Sequence, residues 1–240
     1  MLTYYSTRED IENSGVDTVV LPIGSIEQHG PHLPIGTDFL IGNKIGEAVS
    51  KRIRALLLPT LPISTCREHK GCRGNVWINS DTLYHALRDI TESLKSQGFR
   101  RIILIIAHGG IFISGPATRE INSDNEEIKI IRVDLLNFLP HIQKEGILES
   151  DNNLHACEYE TSLMMYLYDD LVRKDKIEDC IPEIPRDYLN YTTIPKACKN
   201  GVWGRPSLAN AEKGERIFDI LIEKCVEYIS DVNRVLDKTD

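Results

Sequence analysis

The sequence predicts an α/β fold in which helices cover both faces of a largely parallel sheet. Short apolar runs of strand length alternate along the chain with longer segments whose apolar residues recur at helical spacing. Alternating strands and helices form βαβ units, and these units give parallel sheets with helices on both faces. In such sheets the functional loops collect at the carboxyl ends of the strands. We therefore look for functional residues directly after the predicted strands.

Four apolar runs are predicted as strands, at residues 18–23, 55–63, 101–110 and 127–138. Three segments with helical spacing are predicted as helices, at residues 39–53, 80–98 and 210–236. The second helix has recognisable ends, because Ser80 and Asp81 give an N-terminal capping signal and Gly98 a C-terminal one. Residues 181–195 are the least regular part of the sequence and predict a long surface excursion.

The composition is that of a soluble globular protein, with 41% hydrophobic and 27% charged residues. A chain of 240 residues without internal repeats or a linker predicts a single domain over residues 1–240. The formal net charge of −8 argues against nucleic-acid and membrane-surface binding, since both need a basic face. No apolar run reaches the roughly 18 residues of a membrane-spanning helix, so no membrane association is expected.

The cysteines predict a cytoplasmic protein. There are six of them, dispersed and without a CxxC pair, namely Cys66, Cys72, Cys157, Cys180, Cys198 and Cys225. The N-terminal sequence has neither the basic nor the apolar region of a secretory signal. Scattered thiols in a chain of this size favour a reducing compartment over a disulfide framework.

One polar stretch directly follows the first predicted strand. Residues 24–38, GSIEQHGPHLPIGTD, combine three glycines and two prolines with four side chains of the types that can bind metals or move protons, which are Glu27, His29, His32 and Asp38. Glycine and proline interrupt helices and strands, so the stretch is predicted to be a rigid loop at one edge of the sheet.

Two further polar clusters lie at the ends of predicted elements. His108 stands in AHGG after the third apolar run, and HACEYETS at residues 155–162 precedes another apolar segment. Each has a purely structural alternative. A histidine after a buried strand can be a packed core residue, and acidic residues at a helix start can complement the helix dipole. Taken together, the clusters supply the mixed nitrogen and oxygen ligands that Zn²⁺, Mn²⁺ or Fe²⁺ favour in hydrolytic centres.

The polar motifs resemble the creatininase (creatinine amidohydrolase) family. Residues 24–38 match its signature, and further matches follow in the family's order: EHKG at 68–71, HGG at 108–110, HACEYETS at 155–162 and GVWGRPSLANAEKGE at 201–215. The resemblance implies a three-layer α/β/α sandwich with a largely parallel central sheet. It also implies two divalent metal ions per subunit (Zn, Mn or Fe), a small-molecule substrate and assembly as a homo-hexamer.

The resemblance also implies roles for individual residues. Glu27 and His108 are expected to bind one ion, His29 the other, and Asp38 both. His155 matches a catalytic histidine of the family, and we expect it to act as the general acid that protonates the leaving nitrogen.

One ligand position of creatininase itself is missing here. The second ion there takes a carboxylate two residues after the strand-end histidine, and this position is Gly110 in the present chain. We expect Glu160 to supply the missing carboxylate, with Glu158 as the less favoured alternative. A carboxylate beside His155, either Glu158 or Glu160, is also a candidate for orienting the ring or relaying the proton.

The substrate pocket is where the chain departs from the family pattern. Residues 72–75 read CRGN where many members read FPGT. Arg73 is therefore a candidate for binding an anionic substrate group, although it could equally be a solvated surface charge. Trp77 could wall a flat substrate or simply pack. His32 and His69 are candidates for hydrogen bonds that orient metal ligands, and His69 also for substrate binding.

The sequence thus predicts a metal-dependent hydrolase that cleaves a C–N bond in a small amide, cyclic amide or formamide. Within the same family, hydrolysis of an oxidised inositol or of a cofactor-precursor peptide is an alternative. A non-catalytic protein that retains metal for its structure is an alternative from another class, because of the ligand missing at Gly110.

Overall fold

A parallel sheet of four strands forms the centre of the computed structural model, which describes residues 1–239. The strands are β1 (Thr18–Ile23), β2 (Leu56–Leu57), β3 (Arg101–Ile106) and β4 (Lys129–Asp134). Their spatial order is β2-β1-β3-β4, and every neighbouring pair is parallel. Ile23 pairs with Ile106, and Ile106 pairs with Asp134, so β1, β3 and β4 end at the same edge.

Helices cover both faces of the sheet and confirm the three-layer α/β/α prediction. They are α1 (Arg8–Glu12), α2 (Thr37–Ile53), α3 (Ser80–Ser96), α4 (Ser114–Asp124), α5 (Leu139–Lys144), α6 (Glu158–Leu167), α7 (Ile194–Ala197) and α8 (Ala211–Thr239). Alternate strand residues face opposite layers. Val19 and Leu21 join a buried cluster with α3 and α4, whereas Val20 joins one with α2, α6 and α8.

The second predicted strand is much shorter than expected. Of residues 55–63 only Leu56–Leu57 form a strand, and Leu61 makes one isolated bridge to Ile23. Pro59 and Pro62 interrupt the run because proline has no N–H to donate to a neighbouring strand. The fourth run also divides, since β4 ends at Asp134, whose side chain accepts a hydrogen bond from the Leu136 amide.

A second, smaller sheet carries the HACEYETS motif. Strands β5 (Asn153–His155) and β6 (Trp203–Gly204) pair antiparallel. The sequence reasoning did not predict these strands, because each is only two or three residues long. They place His155 at the end of β5, three residues before α6 begins.

The expectation that the cysteines form no disulfide is wrong for one pair. Cys180 and Cys198 are joined by a disulfide, with 6.2 Å between their Cα atoms, while Cys66, Cys72, Cys157 and Cys225 are free. The spacing in sequence did not reveal this pair, because only the folded chain brings the two ends of residues 180–198 together. Within this segment lie a 3₁₀ turn, Arg186–Asn190, and the short helix α7.

No membrane crossing is found within residues 1–239. None of the helices there combines the length and the apolar character that a bilayer span requires.

Candidate metal centre

The loop between β1 and α2 is folded tightly against the start of α2. The Glu27 amide donates to the Ile35 carbonyl at 2.9 Å, and His29 forms an antiparallel bridge with Leu33. A side chain at Gly24 would collide with the α2 backbone, since a Cβ there would lie 2.5 Å from the Phe39 nitrogen. This close approach brings the first turn of α2, including Asp38, back onto the residues of the loop.

Asp38 lies between two imidazoles. Its Oδ1 is 3.1 Å from His29 Nε2, and its Oδ2 is 3.0 Å from His108 Nδ1. The other nitrogen of His29, Nδ1, lies 3.1 Å from the Glu27 carbonyl oxygen, which fixes the orientation of the ring. Burial alone would raise the pKa of Asp38, but the two imidazoles outweigh it and hold the pKa well below its usual range. The carboxylate therefore stays ionised between the rings.

Glu27 is a buried carboxylate surrounded by three imidazoles. Its Oε1 lies 3.0 Å from His69 Nε2 and 3.7 Å from His155 Nδ1, and its Oε2 lies 3.1 Å from His108 Nε2. Neither oxygen meets the geometry of a hydrogen bond, and the same holds for Asp38 Oδ2. Buried carboxylate oxygens without hydrogen bonds are costly unless a cation compensates them, so this arrangement fits a metal centre.

The two candidate carboxylates of the HACEYETS motif have different surroundings. Glu160 belongs to a group with His29 and Asp38 in which one ligand atom of each lies within 4.8 Å of the others. Burial raises the pKa of Glu160 to about 7. The amide of Ala156 donates to Glu160, and Ala156 adopts a left-handed φ of 48°, which is uncommon for a residue other than glycine.

Glu158 is directed away from the metal-ligating groups. It accepts hydrogen bonds from the amides of Glu149 and Ser150 and lies 2.6 Å from Lys213 Nζ. Its charge is thus already compensated by protein groups, whereas Glu160 lies among histidines and carboxylates. The geometry favours Glu160 over Glu158 as a metal ligand.

Three groups of ligand atoms together form the candidate centre. Within each group the atoms lie within 4.8 Å of one another. The groups are Glu27–His29–His155, Glu27–Glu68–His108 and His29–Asp38–Glu160. The fold therefore assembles all five expected metal-ligating residues at one edge of the sheet, although they come from three separate motifs.

His155 is buried among other histidines. Its ring centroid lies 4.3 Å from that of His29 and 4.3 Å from that of His69. Its Nε2 lies 2.6 Å from the Gln28 carbonyl oxygen, so Nε2 carries the proton and Nδ1 faces Glu27. Burial, together with the neighbouring imidazoles, lowers the pKa of His155 well below its ordinary value. The ring is therefore neutral near pH 7.

The candidate centre opens onto a cavity of about 530 Å³. Nine residues between Arg186 and Lys196 line it, so the segment that the sequence predicted as a surface excursion forms one wall of the cavity. The Arg186 guanidinium reaches over the end of β3, where it lies 3.7 Å from the place of a Cβ on Gly109. Neither the prolines nor the composition of this segment indicated that it would line the cavity.

The predicted substrate-binding residues divide into two sets. His69 lines the cavity and contacts both Glu27 and the Gln28 side chain. Arg73 and Trp77 are not among the residues that line it, and Arg73 is exposed. His32 is buried and lies 3.0 Å from the Thr161 hydroxyl, outside the three ligand groups.

Sequence reasoning assigned no role to Glu68 and Gln28. Glu68 Oε1 lies 3.3 Å from His108 Nε2. The Gln28 amide nitrogen lies 2.9 Å from His69 Nδ1 and 3.1 Å from His155 Nε2. Both residues fall inside the matched motifs, so their positions, though not their contacts, were visible in the sequence.

Known proteins resemble this chain over nearly its whole length. The family model for creatininase, described as creatinine amidohydrolase, matches residues 4–229. Creatinine amidohydrolase from Pseudomonas putida is 29% identical over 239 residues, which cover 92% of this chain and 90% of that protein. The mycofactocin precursor peptide peptidase from Mycolicibacterium smegmatis is 28% identical over 231 residues, covering 90% of this chain and 86% of that protein.

The fold also matches a solved structure of the same kind. A creatininase mutant described as the Zn–Zn type superposes with a TM-score of 0.79 at 26% sequence identity. The match covers 97% of this chain and 96% of that one.

Proposed function

The chain belongs to the creatininase family of metal-dependent amidohydrolases, and we propose that it hydrolyses a C–N bond in a small amide, cyclic amide or formamide with the help of two divalent ions. The observation that carries this proposal is the position of Asp38 between His29 and His108. A carboxylate with one oxygen toward each of two imidazoles is suited to bridge two cations.

The side chains divide naturally between the two ions. We assign Glu27 and His108 to the first ion and His29 and Glu160 to the second, with Asp38 shared. The buried carboxylate oxygens that lack hydrogen bonds support this assignment. The mixed nitrogen and oxygen donors suit Zn²⁺, Mn²⁺ or Fe²⁺. When bound, the cations polarise a substrate carbonyl and lower the pKa of a water molecule toward neutrality.

His155 moves the proton in this proposal. Because its pKa is lowered, the ring enters the reaction neutral and first accepts, at Nδ1, the proton that the attacking water loses. It then donates that proton to the leaving nitrogen, which is otherwise a poor leaving group. The Gln28 carbonyl holds Nε2–H at 2.6 Å and so keeps Nδ1 directed toward the candidate centre.

The cavity is of a size that suits a small molecule. The wall formed by residues 186–196 shields the centre from bulk water on one side. Arg186 and Lys196 are exposed cavity-lining cations on this wall, and they suit a substrate with a carboxylate or phosphate group. This charge favours, as a second candidate, hydrolysis of a peptide bond near a free carboxylate terminus.

Assembly and location complete the proposal. We infer a homo-hexamer from the family resemblance, and a cytoplasmic location from the four cysteines that are free thiols. The disulfide between Cys180 and Cys198 weakens the argument for the cytoplasm that rested on free thiols.

Metal analysis and a substrate screen test the proposed function together. The apo-protein is loaded separately with Zn²⁺, Mn²⁺ and Fe²⁺ and assayed on a panel of cyclic amides, formamides and short peptides. We expect two equivalents of metal per chain and turnover of at least one substrate class. Asp38→Asn is the matched control, since it keeps the shape of the side chain but removes the bridging charge. One inert equivalent of metal, unaffected by Asp38→Asn, would instead indicate a non-catalytic metal-binding protein.

A further inference from the structure

Glu68 is a carboxylate beside the candidate centre to which neither the motifs nor the proposed mechanism gives a role. It lies in the 3₁₀ turn Arg67–His69, whose next residue, His69, contacts Glu27. The Glu68 side chain is 14% exposed, and its Oε1 lies 3.3 Å from His108 Nε2. Within residues 1–239, His108 is the only cationic side chain within ion-pair distance of this carboxylate.

The Glu68 carboxylate occupies the space of the side chain that Gly110 lacks. A Cβ added to Gly110 would lie 1.7 Å from Glu68 Oε1 and 2.5 Å from His108 Nε2. Two groups cannot share this space, so a side chain at position 110 and the present position of Glu68 exclude each other. The turn at Arg67–His69 therefore places the Glu68 carboxylate beside Gly110, which has no side chain of its own.

The carboxylates around His108 form a negatively charged site that suits a bound cation. Glu27, Glu68 and His108 each place one ligand atom within 4.8 Å of the others, and Asp38 contacts the second nitrogen of the same ring. Three carboxylates thus surround one imidazole. Glu27 also faces His69, and Asp38 also faces His29. Even so, both Glu27 oxygens and one Asp38 oxygen are buried without a hydrogen bond, and a bound cation would compensate them.

We propose that Glu68 is a further ligand of the first metal ion, where it joins Glu27, Asp38 and His108. This inference rests on the proposed two-metal function. It gives the first ion a second carboxylate of its own, while Glu160 remains with the second ion. Glu68 therefore occupies the space beside Gly110 but serves the first ion, whereas the carboxylate that the second ion lacks at Gly110 comes from α6.

Binding of Mn²⁺ to the apo-protein tests this assignment without an activity assay. The signal of free Mn²⁺ in electron paramagnetic resonance gives the number of bound ions and their affinities. Glu68→Gln keeps the size of the side chain and an oxygen that can accept a hydrogen bond from His108, but it removes the charge. We expect one of the two ions to bind at least about tenfold more weakly in this variant. Asp187→Asn is the matched control, because Asp187 also lines the cavity but belongs to no ligand group.

The outcomes separate this inference from the proposed function. If the wild type binds two ions and Glu68→Gln also binds two with unchanged affinity, Glu68 is not a ligand and the inference is overturned. If the wild type binds fewer than two ions, the proposed function itself fails. Circular dichroism of each apo-protein shows whether it is folded. Should Glu68→Gln not fold, Glu68→Asp replaces it, since its shorter side chain withdraws the carboxylate and should also weaken one ion. Unchanged affinity in Glu68→Asp would then contradict the assignment.

Discussion

At the scale of single residues, the roles of the buried histidines follow from their neighbours. His29 and His108 each face the Asp38 carboxylate. His155 lies 3.7 Å from Glu27, and its Nε2–H donates a hydrogen bond to the Gln28 carbonyl oxygen. Rings of the same chemical type therefore differ in charge. Carboxylates favour the protonated form of His29 and His108, while burial keeps His155 neutral.

We predict that His155→Asn leaves both ions in place and lowers turnover by about 10²–10⁴-fold, the usual loss when a positioned acid or base is removed. Metal content and kcat are measured on the same preparation. The loss should be smaller for substrates whose leaving nitrogen is already a good leaving group. A His155→Asn protein that has lost metal would show that this ring is a ligand, because Nδ1 lies in a group with Glu27 and His29.

A second residue-scale prediction concerns pH. Burial disfavours charged His29, but Asp38 and the neighbouring glutamates outweigh it and raise the pKa of His29 to about 9. A metal ion needs the neutral ring, so metal binding at this site should release a proton. The affinity should therefore increase by about tenfold for each unit by which the pH rises toward 9. Calorimetric titration with Zn²⁺ in buffers of different ionisation enthalpy measures both effects. An affinity independent of pH from 6.5 to 9 would contradict the prediction.

The raised pKa of His29 also makes the stability of the apo-protein depend on pH. The pKa of His29 is higher in the folded protein than its ordinary 6.5, so its protonation stabilises the folded state fully below pH 6.5. This contribution is lost as the pH rises through about 9. Metal-free protein should therefore unfold more readily at pH 9 than at pH 6.5, while metal-loaded protein should not follow this trend.

At the scale of elements, helix α6 carries two glutamates, of which we assign Glu158 to the structure and Glu160 to the metal. Glu158 accepts from two backbone amides and pairs with Lys213, which is 13% exposed. Lys213 keeps Glu149 as a partner in Glu158→Gln, but the buried charge-assisted bond to Glu158 is lost, so the free energy of unfolding should fall by about 2 kcal/mol. Urea denaturation measures this change, and metal content should stay at two ions.

Glu160→Gln is the matched comparison for Glu158→Gln. It should weaken the second ion and change the stability of the apo-protein far less. The opposite pattern, in which Glu158→Gln loses an ion and Glu160→Gln keeps both, would show that Glu158 is the ligand.

The elements also show what the sequence could predict. Strands β1, β3 and β4 lie close to their predicted places because buried parallel strands consist of continuous apolar residues. The strand predicted at residues 55–63 is too long, because the prediction followed the apolar composition of this run and did not take its two prolines into account. The wall at residues 186–196 could not be predicted, since it depends on the pairing of Cys180 with Cys198 and on contacts with distant loops.

The candidate site, like the fold, could be predicted from the sequence only in part. The motifs gave Glu27, His29, Asp38 and His108, and the structure brings their side chains together. Their roles stay predictions until metal is measured. The position of Glu68 could not be predicted, because the space beside Gly110 exists only in the folded chain.

At the scale of the whole molecule, the assembly is predicted from the family resemblance. A chain that matches the creatininase family over residues 4–229 should form a closed homo-hexamer. Multi-angle light scattering on the metal-loaded protein should give six times the mass of the chain. A monomer at micromolar concentration would refute the prediction.

We propose that one carboxylate, Asp38, holds two metal ions at the edge of the sheet. Anomalous diffraction from crystals of metal-loaded protein, recorded at the absorption edge of zinc or manganese, locates these ions. We predict two peaks per chain on either side of Asp38, one beside Glu27 and His108 and the other beside His29 and Glu160. A single peak, or two peaks of which neither contacts Asp38, would rule out a bridging role for this carboxylate.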